Sequence, residues 1–363
     1  MSCAATDLTG ITRTLASKPF RPHRLFRSGH AQTLAAFAFP RRARLLRGAA
    51  GDEARLFETD SQVRVLVRCR WQERRESSPT ILLVHGLEGS SESTYAIGAA
   101  EKAHRAGFNA LRMNIRSCGD TQHLSPTLYH SGLTDDLRAV VEELSARDRL
   151  PEIYLAGFSL GGNQCLKLAG ERGGDAPLAL RGVCAVSPSL DLSTCADAIS
   201  RPRNFLYSRK FIRSLKRRMR RAAALYPERY DTGRLKLVRT IRDFDSHYTA
   251  PHAGFLDADD YYARSSALQF VPSIRTPTLV IHAEDDPLVP FASFRGPSLA
   301  ANPCVVFLAP RQGGHVGFLA DGAARGEDRF WAENRVVEFC RLLHEAAGGR
   351  ARGGAWAVAP AVC

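Results

Sequence analysis

Strands and helices alternate along most of this sequence, and several of the strands are apolar throughout. "TILLVHG" (80–86) is a continuous apolar run, the kind covered on both sides in a parallel sheet. Before it, "VRVLVRCRW" (63–71) alternates apolar and basic residues and reads as the half-exposed second member of a strand pair. After it come helix "ESTYAIGAAEKAHRAG" (92–107), strand "FNALRMNIR" (108–116), helix "GLTDDLRAVVEELSAR" (132–147), strand "EIYLAGFS" (152–159), helix "LGGNQCLKLAGE" (160–171) and strand "RGVCAVSPSL" (181–190). In the second helix Leu133, Leu137, Val140, Val141 and Leu144 share one face. Such alternation predicts an α/β fold, a mostly parallel sheet flanked by helices on both faces.

The alternation stops near Asp191. Residues 191–272 read as helical, aromatic and strongly charged, with no buried strand. It resumes at "TPTLVIHAEDD" (276–286) and "CVVFLAP" (304–310), and helix "EDRFWAENRVVEFCRLLHEA" (327–346) closes the pattern. A chain of 363 residues accommodates one large α/β domain with an insertion. The expected organisation is a core of residues 51–190 and 273–346, with a helical cap (191–272) between the sixth and seventh strands. An irregular, basic N-terminal extension (1–50) packs on that core, and an Ala/Gly-rich tail (347–363) is disordered.

Chemistry enters at Gly157-Phe158-Ser159-Leu160-Gly161, a G-x-S-x-G pattern set between a strand and a helix. That context, more than the pattern, points to a nucleophile elbow: Gly157 and Gly161 let strand and helix approach closely, and Ser159 sits on a strained turn with its hydroxyl exposed. A serine hydroxyl needs a base, and the base needs an orienting acid. His315, in "QGGHVGF" just past the last strand, is the candidate base. The candidate acid is Asp286, with Asp285 as the alternative, at the carboxyl end of "LVIHAEDDPLVP"; either could instead cap the turn at Pro287. The order Ser, Asp, His is that of α/β-hydrolases. Backbone N–H groups of Leu160, at a helix N-terminus, and of Leu87, after "LLVHG", are the candidate oxyanion donors. No P-loop, no G-x-G-x-x-G after the first strand and no H-E-x-x-H is present, so neither a cofactor nor a metal is expected.

The net charge of +13 favours anionic neighbours in general. Nine cysteines (Cys3, Cys69, Cys118, Cys165, Cys184, Cys195, Cys304, Cys340, Cys363) form no C-x-x-C pair and are odd in number, which fits reduced thiols in a cytoplasm. No stretch reaches the length of a membrane span and no signal-peptide core is present, although the first fifty residues are Arg-rich with Asp7 as their one acid. In "SRKFIRSLKRRMRRA", from Ser208 to Ala222, Phe211, Ile212, Leu215 and Met219 share one helical face and Arg and Lys crowd the other. One reading is a cap helix packed on the core with its basic face solvated; the other is peripheral contact with an anionic membrane. No nucleic-acid-binding module accompanies the run. His30, Phe205, Phe244, His247 and Tyr248 could line an acyl pocket or simply pack.

Several further motifs, "SGHAQT" (28–33), "VHGLEGS" (84–90), "NIRSCGDT" (114–121), "PTLYHSGLTDDL" (126–137), "IRDFDSHYTAPHAGFLDADDYYARSSA" (241–267), "AEDDPLVP" (283–290) and "GGHVGF" (313–318), together with "GFSLGGN", resemble the YheT-type branch of the α/β-hydrolase fold, AB-hydrolase family 4. That branch includes the abhydrolase-domain proteins one to three and the yeast medium-chain ester synthases. The resemblance covers residues 18–345. It implies Ser159 as nucleophile, Asp286 as acid, His315 as base and acyl ester substrates. Where the family often has R-G-C-G, this chain has Arg116-Ser117-Cys118-Gly119. The expected function is hydrolysis of short- or medium-chain or lipid esters through an acyl-enzyme, with no cofactor. The alternatives are acyl transfer to an alcohol by the same residues and a non-catalytic lipid-binding protein.

Overall fold

The computed structural model describes residues 8–39, 52–324 and 326–348. One eight-stranded sheet runs in the order β1 (Glu53–Asp60), β2 (Val63–Arg70), β4 (Asn109–Met113), β3 (Thr80–Val84), β5 (Ile153–Phe158), β6 (Leu180–Val186), β7 (Thr278–Ile281) and β8 (Val305–Leu308). From β4 to β8 the strands are parallel, while β1 and β2 join antiparallel at one edge. Helices α1 (Leu8–Ala16) and α2 (Gly29–Ala38) precede the sheet; α3 (Thr94–Arg105), α4 (Asp135–Ala146) and α5 (Leu160–Arg172) follow β3, β4 and β5. Between β6 and β7 lie α6 (Leu192–Ser200), α7 (Phe205–Leu225) and α8 (Ala258–Ser265), and α9 (Trp331–Ala346) follows β8.

Alternate residues of the buried strands feed two separate cores, as the two-residue period of a strand requires. Ile81, Leu83, Tyr154, Ala156, Cys184 and Leu279 pack with α1, α3 and α9 on one face. Leu82, Val84, Leu155, Val183 and Val280 pack with α4 and α5 on the other. The cysteines Cys165 and Cys184 lie wholly buried among these aliphatic residues, filling space as small hydrophobes.

β3 lies between β4 and β5. The chain therefore leaves β3 in one direction to form β4 and returns on the other side to form β5. The loops after β3 and β5 open onto one crevice at the carboxyl edge, where sheets of this kind hold their ligands.

Two elements differ from the sequence reading. The N-terminal stretch expected to be irregular contains α1, whose Leu8, Ile11 and Leu15 are buried, and α2, capped by Ser28. In α1 the spacing of Leu8, Ile11 and Leu15 is a helical signal that the reading of this stretch as irregular passed over; α2 is short and apolar with no acid in its first turn, and packing on the core supplies the stability of both. On α7, Leu215, Met219 and Ala222 face inward, but so does Arg218, which periodicity had placed with the solvated cations. Residues 349–363, expected to be disordered, lie outside the described residues.

The loop after β4 carries the departure at position 117. Ser117 takes a left-handed backbone, φ 60°, and its buried hydroxyl finds no hydrogen-bond partner. A glycine would avoid a steric cost of about 1–2 kcal/mol and remove an unsatisfied hydroxyl costing about 1–3 kcal/mol, against about 0.4–1 kcal/mol of added chain entropy in the unfolded state. Ser117→Gly is thus expected to stabilise the protein by about 1 kcal/mol or more. Urea unfolding measures this, and a lowered midpoint would show that the serine is better accommodated than its backbone suggests.

Candidate active site

The turn at Ser159 is built by sterics. Its backbone stands at φ 54°, ψ −117°, between the end of β5 and the first turn of α5. A Cβ on Gly157 would lie 2.2 Å from the Gly161 carbonyl oxygen, and one on Gly161 would lie 2.5 Å from the carbonyl oxygens of His85 and Val84. Neither position has room for a side chain, so the two glycines let α5 press against β3 and β5 while the serine absorbs the strain.

The hydroxyl so presented meets an imidazole. Ser159 Oγ is 2.9 Å from His315 Nε2, and His315 Nδ1 is 2.8 Å from Asp286 Oδ2. Asp286 also accepts from the backbone N–H groups of Leu288 (2.8 Å) and Val289 (2.9 Å) through its other oxygen. The turn-capping role and the contact with histidine, weighed above as alternatives, coexist on one carboxylate. Burial pushes the Asp286 carboxyl up, but the charge and hydrogen bond of His315 outweigh it and hold the group below its ordinary value. Asp285, one residue earlier, does not face the ring. It accepts from the Gly314 N–H at 2.9 Å and braces the loop that carries His315. His282 stacks on Phe294 with ring centroids 3.8 Å apart, and burial pulls its pKa down to about 4, so a neutral imidazole lies behind Asp286.

The loop after β3 runs against the serine. A Cβ on Gly86 would lie 3.0 Å from Ser159 Cβ and 3.6 Å from its Oγ. Gly86 N–H donates to the Tyr95 hydroxyl (2.9 Å) and Gly89 N–H to the Gly86 carbonyl (3.0 Å). Neither of the two amides between them, Leu87 and Glu88, has an acceptor among the described residues, and Leu160 N–H belongs to the unpaired first turn of α5.

Three groups of site residues escaped the sequence reading or were quoted without a role. Gln32 and Thr33, inside "SGHAQT", clamp the histidine loop from the opposite end of the chain. Thr33 Oγ1 accepts from His315 N–H at 2.8 Å, and the Gln32 side chain bonds both the N–H (2.7 Å) and the carbonyl (3.1 Å) of Leu319. Glu88, left-handed at φ 57°, forms a buried ion pair with Arg218 of α7 and accepts from Ser214 (2.5 Å) and Tyr129 (3.1 Å). Arg218 also donates to the Tyr129 hydroxyl at 2.9 Å. Asp245 is buried with Thr249 (2.6 Å) and Tyr262 (2.7 Å) donating to it, and burial raises its pKa to about 6 despite those bonds. Apart from Thr249, one helical turn from Asp245, the partners lie from 17 to 287 positions away, so only the residue type at each position was legible locally.

Ser159 and His315 both line a cavity of about 220 Å³ between the sheet edge and the helices after β6. Its wall is largely apolar, with Leu87, Leu192, Phe211, Leu215, Phe244 and Leu288 among its residues and Asp245 the one carboxylate. Of the five expected lining residues, Phe244 and Tyr248 reach it. Phe205 does not: it is 59% exposed and lines a separate outer groove. His30 stacks instead on Tyr207, 5.8 Å away, and His247 lies outside the wall. Which face a cap residue shows is set by tertiary packing that periodicity alone does not encode. Among the described residues no cluster of three or more His, Cys, Asp or Glu gathers that could hold a metal ion, and no helix is long and apolar enough to cross a membrane.

Residues 79–321 match the profile of the alpha/beta hydrolase fold family. The chain is 31% identical to "Putative esterase YheT" of Escherichia coli, over 94% of this chain and 99% of that protein. It is 31% identical to the monoacylglycerol lipase of Saccharomyces cerevisiae, over 74% of this chain and 60% of that one. With the medium-chain fatty acid ethyl ester synthase/esterase 2 of the same yeast the identity is 26%, over 75% of this chain and 64% of that one. Two solved structures share the fold. The 2,6-dihydroxy-pseudo-oxynicotine hydrolase superposes with a TM-score of 0.53 at 17% identity, over 88% of this chain and 80% of that one. The Pyrococcus furiosus esterase Pf2001 superposes with a TM-score of 0.52 at 16% identity, over 82% of this chain and 94% of that one.

Two stability measurements test these buried groups. Removing one partner of a buried ion pair strands the other, so Arg218→Met is expected to cost about 3–5 kcal/mol, and Glu88→Gln added to it should recover much of the loss; equal unfolding free energies for wild type and Arg218→Met would show that the pair contributes nothing. Asp245 holds its proton more tightly folded than unfolded, so ionisation penalises the folded state. Relative to Asp245→Asn, the wild type should be most stable below pH ~4 and lose roughly 3 kcal/mol as pH rises through about 6. A pH-independent difference between the two proteins over that window would contradict the assignment.

Proposed function

The chain belongs to the alpha/beta hydrolase family, in its YheT-type branch, and on that premise we propose that it is a serine hydrolase of carboxylic esters. The observation that carries the reading is the unbroken chain Ser159 Oγ, His315, Asp286, with contacts of 2.9 and 2.8 Å on a strained elbow. Esterase and lipase names among the relatives support the substrate class.

His315 Nε2 takes the proton of Ser159 as Oγ attacks the ester carbonyl carbon. Asp286, accepting from Nδ1–H, fixes the tautomer that leaves Nε2 free and stabilises the imidazolium once it forms. The Leu87 and Leu160 amides hold the oxyanion. As the tetrahedral intermediate collapses, His315 returns the proton to the departing alcohol, leaving an acyl-serine. Water, deprotonated by His315, then attacks the acyl carbon; the carboxylic acid leaves and Oγ regains its proton. The acyl chain occupies the apolar cavity. At about 220 Å³ it lies below the roughly 300–1,000 Å³ of sites for drug-sized ligands, which favours short to medium chains. Likeness to the yeast ester synthase/esterase supports a second reading, in which an alcohol replaces water and the same steps make an ester.

A fluorophosphonate probe is expected to label the wild type at Ser159 and not Ser159→Ala. On a panel of esters graded by acyl length, kcat/KM should peak at short to medium chains, and Ser159→Ala or His315→Ala should lose at least about a thousandfold. Equal labelling of wild type and Ser159→Ala, or no labelling of either, would sink the enzyme reading in favour of a binding protein. Partition of an acyl donor between water and added ethanol separates hydrolysis from transfer.

A further inference from the structure

Helix α7 carries eight Arg or Lys side chains and no acid in its 21 residues. Arg218 alone of these is buried, in the ion pair with Glu88. A merely solvated cap helix accounts for isolated surface cations, but two features of its outer face go beyond that.

The first is a groove. Arg209, Arg213 and Arg220 of α7 form one bank, and Arg201 and Arg239, from the segments before and after the helix, also line it. Ile212 and Val238 are among its apolar residues, and no acidic side chain lines it. Cations from separate segments converge on one concave strip without an intervening carboxylate. Their mutual repulsion is relieved by an anion placed between them. The second feature is exposed apolar surface beside the cations. Phe205 is 59% and Leu206 73% exposed at the start of α7. Leu206, Arg209, Lys210, Arg213, Arg217 and Arg220 follow one another at helical spacing, so the apolar residues continue the basic stripe.

An exposed Leu-Phe pair continuous with a cation row is the arrangement of a helix lying in the head-group region of a bilayer, with phosphates on the cations and apolar side chains below them. A nucleic-acid backbone would engage the arginines and leave Phe205 and Leu206 in water. We infer that the outer face of α7 docks on an anionic phospholipid surface. Phe211, Leu215 and Arg218, on the opposite side of the same helix, line the cavity that holds Ser159. Docking therefore sets the cavity one helix diameter from the lipid. That this serves delivery of lipid esters rests on the esterase reading above; the docking itself does not.

The test is co-sedimentation of the full chain with vesicles of phosphatidylcholine alone and of phosphatidylcholine mixed with phosphatidylglycerol. The wild type should bind the anionic vesicles at least about tenfold more tightly, an advantage that shrinks as salt screens the charges. Arg209→Glu/Arg213→Glu/Arg220→Glu should abolish that advantage, and Leu206→Asn should weaken binding on its own. These surface variants should keep the wild-type melting temperature and, under the esterase reading, hydrolyse a water-soluble ester within about twofold of the wild-type rate. Equal binding to both vesicle types, undiminished binding by the charge-reversal variant, or binding to duplex DNA with none to vesicles would overturn the inference. If the wild type binds anionic vesicles but hydrolyses no ester, docking stands and the esterase reading falls.

Discussion

The left-handed backbone at Ser159 is the constraint from which the rest of the site follows. A non-glycine residue held there costs on the order of 1–3 kcal/mol and persists only where its surroundings leave no alternative. Gly157 and Gly161 remove the alternatives by letting α5 close onto β3 and β5 at contacts no Cβ could share. Placing β3 beside β5 then brings the loop carrying Leu87 against the serine. β7 and β8, beyond β6 in the same sheet, end near the loops that carry Asp286 and His315. A strained turn at the centre of a parallel sheet thus has strand ends on the same edge from which to receive its partners.

The histidine loop needs a second support, and it comes from the N-terminus. Gly313, Gly314, Val316 and Phe318 all adopt positive φ, so the loop is irregular and cannot be held by a strand ladder. Its amides are satisfied from outside: His315 by Thr33, Gly314 by Asp285 and Val316 by the Ser187 hydroxyl (3.1 Å). Helix α2 must come close to supply this. A Cβ on Gly29 would lie 1.9 Å from the Asp285 carbonyl oxygen, and one on Gly314 would lie 2.3 Å from that of Gly29. The "GHAQT" stretch is therefore a packing surface for the histidine loop, with glycine where the two backbones touch.

Local patterns carried most of the fold. Continuous apolar strands, amphipathic helices and a serine between glycines each state their structure within a dozen residues, and the order of Ser159, Asp286 and His315 along the chain followed from the strands that end at them. What stayed illegible is long-range. Glu88 meets Arg218 across 130 positions, and nothing near either residue announces the other. Periodicity assigned Arg218 to the polar face because it counts charge, whereas burial is decided by whether a counter-charge waits inside. Phe205 went wrong the other way: an apolar residue in a cap was expected to face inward, and it faces out. For Asp286 the sequence offers either a turn cap or a contact with histidine, and its two oxygens make both contacts: one accepts from the Leu288 and Val289 amides, the other from His315.

The cap is joined to the sheet by more than apolar contact. Leu87 packs against the core beneath the sheet edge and against both apolar clusters of the cap, so one side chain links all three. The next residue, Glu88, takes the guanidinium of Arg218 and the hydroxyl of Ser214, one turn apart on α7. Lifting α7 would expose the apolar contacts of Leu87 and leave Glu88 and Arg218 uncompensated as they part, a cost of several kcal/mol per buried ion. An apolar interface alone could slide with little penalty, whereas an ion pair with fixed hydrogen bonds cannot. The loop that carries the Leu87 amide is thereby tied to the helix that roofs the cavity, so its backbone and the shape of the cavity wall are set together.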